Sequence, residues 1–190
     1  SNWGPWQEQL ANFVQHLTWT FARRVKAEKQ DDCRTPAEWR ITPRIQEEFV
    51  RILRTICLLS LFSKDPVTSL STQFSLKRMA FLQPELILPA ILQRSYNSLE
   101  ALETTQRTGV VIAVLATTSQ PMLSRSLYAA GAKHLAPLLH LCLPGIDMND
   151  SMKTMSTCMF ILSASISLVI SDASMNMDCL LYTSPSPRDR

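Results

Sequence analysis

Apolar positions recur every three or four residues along most of the chain, and that spacing predicts helices. Over 5–29, Trp6, Leu10, Phe13, Val14, Leu17, Phe21 and Val25 share one arc roughly 120° wide, with Glu8, Arg23 and Lys26 facing away. Trp19 falls on the polar side, to be covered by a neighbouring segment or to meet a partner. Residues 30–42 read as a polar connection. Thr42-Pro43 then pairs a capping hydroxyl with a proline at the first helical position. The next apolar face is Ile45, Phe49, Ile52, Leu53, Ile56 and Leu59, backed by Arg44, Glu47, Arg51 and Arg54. Leu58 to Phe62 is apolar all round and should be buried.

Asp65-Pro66 repeats the start signal for a helix to about Leu82, and Pro84 opens a fourth. A fifth is expected at about 101–118; Val110, Val111, Ile112 and Val114 would suit a strand, but nothing alternates. Residues 119–131, with Pro121 and Gly131, read as a loop. A sixth helix covers about 132–142 and stops at Pro144-Gly145. A seventh, about 151–171, is capped by Asn149 or Asp150. Met152, Met155, Met159, Leu162, Ile166 and Ile170 form its stripe while Ile161 and Leu168 point away, so it should pack on two sides. Small Ser side chains would let its neighbours come close.

The helices pair as 43–62 with 66–82, 84–98 with 101–118, and 132–142 with 151–171. Pairs beginning at 43, 84 and 132 are 41 and 48 residues apart, near the 40–47 of HEAT-type repeats. The fold class is therefore all-α, a HEAT-like α-solenoid of stacked helical hairpins.

Charge sharpens that picture. The first hundred residues hold thirteen Lys/Arg and ten Asp/Glu, while 101–178 hold four and five. So few charges predict helices buried on more than one side, with apolar faces open where the stack stops. Residues 154–171 carry no charge, but seven of the eighteen are Ser or Thr. A bilayer span needs about 20 predominantly apolar residues, so membrane spans near 108–124 and 154–171 are the weaker reading. The first 178 residues make one solenoid segment. The last twelve, Cys179 to Arg190, lose the period; they resemble a translated sequencing adapter or else form a disordered tail.

Composition narrows the chemistry. Only four of 190 residues are glycine, which argues against glycine-rich phosphate loops, and no GxSxG, HExxH, GxxxxGK[ST] or GxGxxG occurs. His16, His134 and His140 lack metal-ligand spacing. Asp31-Asp32 and Glu47-Glu48 stand beside cations and read as solvated surface. Arg23-Arg24-Val25-Lys26 with Lys29 is the densest basic patch, suited to a helix end. With a net charge of +3 and no interleaved aromatics, no direct nucleic-acid contact is expected. Cys33, Cys57, Cys142, Cys158 and Cys179 form no CxxC pair, so a reducing compartment is expected, with thiols serving as small hydrophobes. Catalytic residues, cofactors and metals are all expected to be absent.

Five strings go further: Thr35-Pro-Ala-Glu-Trp-Arg-Ile-Thr-Pro43, Phe81-Leu-Gln-Pro-Glu-Leu-Ile-Leu-Pro89, Leu99-Glu-Ala-Leu-Glu-Thr-Thr-Gln-Arg-Thr108, Lys133-His-Leu-Ala-Pro-Leu-Leu139 and Leu143-Pro-Gly-Ile-Asp-Met-Asn-Asp150. In order and spacing they resemble the middle region of the bleomycin-sensitivity family of single-chain, two-hundred-kilodalton proteasome activators, over about 20–172. Met148 and Ser151 depart from it, standing where prolines are expected. The resemblance implies a HEAT-like dome that caps the outer ring of the core proteasome and promotes degradation without ATP or ubiquitin. It also implies nuclear and cytoplasmic location, acetylated histones as substrates and a link to DNA repair. This stretch would serve as structure, and the family's gate-opening tail is not in it. A HEAT-type adaptor for another protein partner is the alternative.

Overall fold

The computed structural model describes residues 5–100 and 105–168. These form seven α-helices: α1 Pro5–Glu28, α2 Pro43–Ser60, α3 Pro66–Leu82, α4 Pro84–Glu100, α5 Thr105–Leu123, α6 Leu135–Cys142 and α7 Ser151–Ser167. Short 3-10 turns lie at Ala37–Trp39, Ala132–His134 and Leu143–Gly145, and no strand occurs among the described residues. The start signals act as their chemistry requires. The Thr42 hydroxyl accepts the Ile45 N–H at 3.4 Å, and the Asp65 carboxylate accepts the Thr68 N–H at 2.8 Å. Each leaves Pro43 or Pro66 at a position whose N–H would lack a helical partner anyway. Of the two candidate caps for α7, Asp150 serves, accepting from Lys153 N–H at 2.9 Å.

Packing sorts the helices into two layers. One runs α1, α3, α5, α7 and the other α2, α4, α6, each helix touching its layer neighbours. Hairpins α2–α3 and α4–α5 cross between layers as the repeat spacing predicts. The third pair is looser. Helix α6 has only eight residues, and α7 lies chiefly along α5. A helix of two turns cannot cover one of seventeen residues, so α7 takes its main contact from within its own layer.

Helix α3 sits at the centre, in contact with α1, α2, α4 and α5. It buries Thr68, Ser69, Ser71, Thr72, Ser75, Leu76, Met79 and Ala80. Small side chains let α1 come close. Thr18 and Ser75 meet at 3.4 Å, and Ser71 donates to the Asn12 amide oxygen at 3.2 Å. The main core, Val50, Leu61, Leu76, Met79, Ile87, Leu88, Ile91, Ile112 and Leu115, fills the space between layers.

Four expectations are corrected. Helix α5 continues through Pro121 to Leu123 where a loop is expected. Met122 and Leu123 are buried there, and that anchoring outweighs one missing N–H in the last turn. On α2 the expected buried face is largely the open one. Ile52 is 69% and Leu59 71% exposed, with Ile45 and Ile56 also exposed, while Val50, Leu53, Cys57 and Leu58 are buried. Leu59 also breaks the expectation of an all-buried last turn. On α7 the methionine stripe faces outward, with Met152 75% and Ile166 77% exposed; Thr157, Phe160 and Ala164 make the contact. The two sets lie about 150° apart at 3.6 residues per turn. Helix α2 is apolar on two faces and buries the one with the shorter stripe, while α7, expected to pack on two sides, is covered on one. Residues 101–104 and 169–171, placed at two helix ends by periodicity, lie outside the described residues, as does the stretch 179–190.

The glycines supply a test. A Cβ on Gly131 would stand 1.7 Å from the Met122 carbonyl oxygen, whereas one on Gly109, inside α5, meets nothing within 4 Å. Gly131→Ala should therefore cost roughly 3 kcal/mol or more. Gly109→Ala should gain about 0.5–1 kcal/mol by removing helix-interior glycine. Urea unfolding of both variants checks the opposite signs.

Candidate functional site

Two connections and a cleft stand out on the surface of the described residues. The first connection closes the end of α1. Glu28 is buried: its carboxylate accepts the Ile41 N–H at 2.6 Å and the Arg24 Nε–H at 2.7 Å. Arg24 also donates to the Trp39 carbonyl at 2.9 Å, and Arg40 to the Thr35 carbonyl at 2.9 Å. One carboxylate thus ties a helix end to the chain thirteen residues later. The Ile41 N–H, and then Arg24, hold its carboxyl below the usual carboxylate range. These bonds use part of the basic patch for structure. Arg23 lies over the Trp19 ring at 5.3 Å, leaving that indole half open, while Lys26 and Lys29 face solvent.

The second connection is the turn before α7. Asp147 and Thr154 exchange bonds: the Asp147 N–H donates to Thr154 Oγ1 at 2.9 Å, and that hydroxyl donates back to the Asp147 carbonyl at 2.8 Å. The Asp147 carboxylate accepts the Asn149 N–H at 2.9 Å. A Cβ on Gly145 would meet Thr157 Oγ1 at 2.5 Å, so this backbone approaches α7 closely. The Gly-Ile-Asp-x-Asn-Asp string is thus the chemistry of a built turn. Met148 and Ser151 point to solvent, which leaves its bonds intact.

The cleft, about 880 Å³, opens between α3, α5, α7 and residues 124–132, with Lys77 and Arg125 on its wall. Several of its hydroxyls are already bonded: Ser119 donates to the Ala116 carbonyl, Ser167 to the Ser163 carbonyl, and Ser124 and Ser126 pair with each other. Two cations at an open mouth give it no enclosed ligand set.

The histidines are scattered. His16 and His140 are exposed, and His134 meets the Tyr96 hydroxyl at 3.0 Å. Burial pushes the His134 imidazole down from its usual range. Asp31, Asp32 and Glu48 are exposed, and Glu47 pairs with Arg51 one turn on. Among the described residues no group of three His, Cys, Asp or Glu could hold a metal ion, and no helix is long and apolar enough to cross a membrane. Cys57 and Cys142 are buried, and burial pushes both thiols up to about 12. Cys158 is exposed and Cys33 half-buried.

Comparison with known proteins gives one family. Residues 1–186 match the family described as proteasome activator complex subunit 4, mid HEAT repeats region. The human protein named proteasome activator complex subunit 4 is 32% identical over 179 residues, which are 92% of this chain and 10% of that protein. A zebrafish relative named subunit 4B is 30% identical over 166 residues, 85% of this chain and 9% of its own. In Arabidopsis, proteasome activator subunit 4 is 25% identical over 187 residues. The chain spans about a tenth of the length of the curated relatives it matches.

Two measurements probe this surface. With a thiol reagent at pH 8, Cys33 and Cys158 should be modified in the native protein while Cys57 and Cys142 stay protected until urea is added. Peptide mapping reads the pattern. Because Glu28 has its folded pKa below the unfolded value, its contribution is full above the ordinary carboxylate range of about 4. It is lost as pH falls through the folded value. Glu28→Gln should accordingly flatten the acid side of the stability–pH curve, measured by urea midpoints between pH 6 and 3.

Proposed function

The chain belongs to the mid HEAT-repeat family of proteasome activator complex subunit 4, and on that premise we propose that it is a structural segment of a proteasome activator. The observation that carries this reading is the two-layer stack. Every described helix packs against its neighbours, and the turn at Asp147 is spent on positioning α7. The work of such a segment is to hold curvature, because stacked hairpins turn by a small angle per repeat and so build concave walls.

In this proposal the assembled polypeptide caps the outer ring of the core proteasome. It promotes entry of peptides and unfolded proteins with neither ATP nor ubiquitin, acetylated histones among them. It acts in nucleus and cytoplasm, where histone turnover connects it to DNA repair. The segment itself contributes no catalytic group; proteolysis belongs to the core proteasome.

The test uses the full-length polypeptide. It should be retained on immobilised core proteasome at low salt and should raise hydrolysis of a fluorogenic peptide without ATP. Gly131→Ala in that polypeptide should lower the stimulation several-fold by breaking the turn into α6, whereas Met148→Ala should leave it unchanged. Absence of both retention and stimulation for the parent protein overturns the proposal in favour of an adaptor for another partner.

A further inference from the structure

Two neighbouring helices of one layer carry the same pair of residues at the same height. On α1, Arg23 lies over the Trp19 ring at 5.3 Å; on α3, Arg78 lies over the Phe74 ring at 6.0 Å. In each pair an aromatic is followed four residues later by arginine, so ring and guanidinium meet one turn apart. The helices run parallel and in register. Asn12 meets Ser71 and Thr18 meets Ser75, offsets of 59 and 57 residues. Trp19 and Phe74, like Arg23 and Arg78, are offset by a similar 55. Both pairs face away from the other layer. Phe21, two residues from each member of the first pair, stacks on Phe49 of α2, and Leu76, two residues from each member of the second, is buried in the core. Two residues turn a helix through about 200°, so both arginines stand on the outer wall.

That wall is basic. Lys26 and Lys77 flank the arginines, and α3, α5 and α7 hold not one Asp or Glu. On α1, Glu28 is turned to Arg24 and Ile41, and Glu8 lies about four turns before Arg23. Among the described residues neither Arg23 nor Arg78 has a carboxylate partner. Arg78 is half-buried and donates to the Gln15 carbonyl at a long 3.5 Å. Burial pushes its guanidinium down from the usual range, a cost that a carboxylate laid against it would offset.

We propose that this wall binds an acidic peptide segment of a partner protein, laid in extended form across α1 and α3 with carboxylates on Arg23 and Arg78. Charge and spacing select that occupant. Packed helices lie about 8–10 Å apart, and side chains two or three residues apart on an extended segment are separated by about 7–10 Å. Two carboxylates of one peptide therefore reach both guanidiniums. The ring beneath each arginine holds the planar fork in place and offers apolar surface to the peptide residues between. A nucleic acid asks for something else, a long basic groove with open rings on which successive bases stack; here each ring is engaged by its own arginine. None of this requires the proteasome, so failure of proteasome capture leaves it standing.

The experiment titrates the full-length polypeptide into a short fluorescein-labelled peptide of alternating Glu and Ala, read by fluorescence anisotropy at low salt. Arg23→Gln and Arg78→Gln should each weaken binding about 5-fold, and the double variant about 25-fold. Arg44→Gln, on the opposite layer, should leave it unchanged, and a peptide with Gln in place of Glu should not bind. Far-UV circular dichroism verifies folding; Arg23 is exposed, so its variant decides the matter even if Arg78→Gln unfolds. Unchanged affinity in the arginine variants overturns the proposal, as does equal binding of the Gln peptide or no binding of the Glu peptide. Tighter binding of a single-stranded oligonucleotide, lost in the same arginine variants, overturns it in favour of nucleic acid.

Discussion

The close approach of α1 and α3 across small hydroxyl side chains is what the rest of the structure hangs on. Helices can come this near only if nothing large stands between them, and Ser and Thr meet that need at the expense of burying an O–H. Each buried hydroxyl left without a partner would cost roughly 1–3 kcal/mol. The chain avoids the cost locally. Thr18 donates to the Gln15 carbonyl, Ser75 to Ser71, Thr118 to Val114, Ser119 to Ala116 and Thr157 to Lys153, all within their own helices. Ser69 reaches the Leu61 carbonyl and so ties α3 to the end of α2. With these groups satisfied, the layer closes and the aliphatic core beneath it is sealed.

Much of this was legible. The start signals Thr42-Pro43, Asp65-Pro66 and Pro84 act on single turns and depend on nothing distant, so they place α2, α3 and α4 well. The hairpin spacing likewise survives in the two full pairs. Facing was harder. A period of 3.6 locates an apolar stripe but cannot say what lies opposite it, and in a stack both sides of a helix meet neighbours. Helix α2 therefore presented its richest stripe as the core face and α7 read as covered on two sides, while the contact runs through Val50, Cys57, Thr157, Phe160 and Ala164. Pro121 read as a stop because the burial of Met122 beyond it is a tertiary fact.

The connections divide in the same way. The turn at 143–150 was visible as a string, since its aspartates bond to partners no more than seven residues away. Glu28 was not. It is one acidic residue at the end of a basic helix; Arg24 stands one turn back, but the Ile41 N–H reaches it only through the folded return of the chain. The resemblance to a family supplied what composition could not, kinship with the mid HEAT repeats of proteasome activator complex subunit 4.

The hydroxyl-lined seam also sets how stability responds to temperature. Apolar surface uncovered on unfolding raises the heat capacity by roughly 0.45 cal/K/mol per Å², while polar surface lowers it by roughly 0.26. A layer closed through Thr18, Ser71, Thr72, Ser75, Thr118 and Thr157 replaces part of the first kind by the second. Its free-energy curve is correspondingly shallow. Warming and cooling shift such a wall less than they would one of the same size sealed by leucine alone.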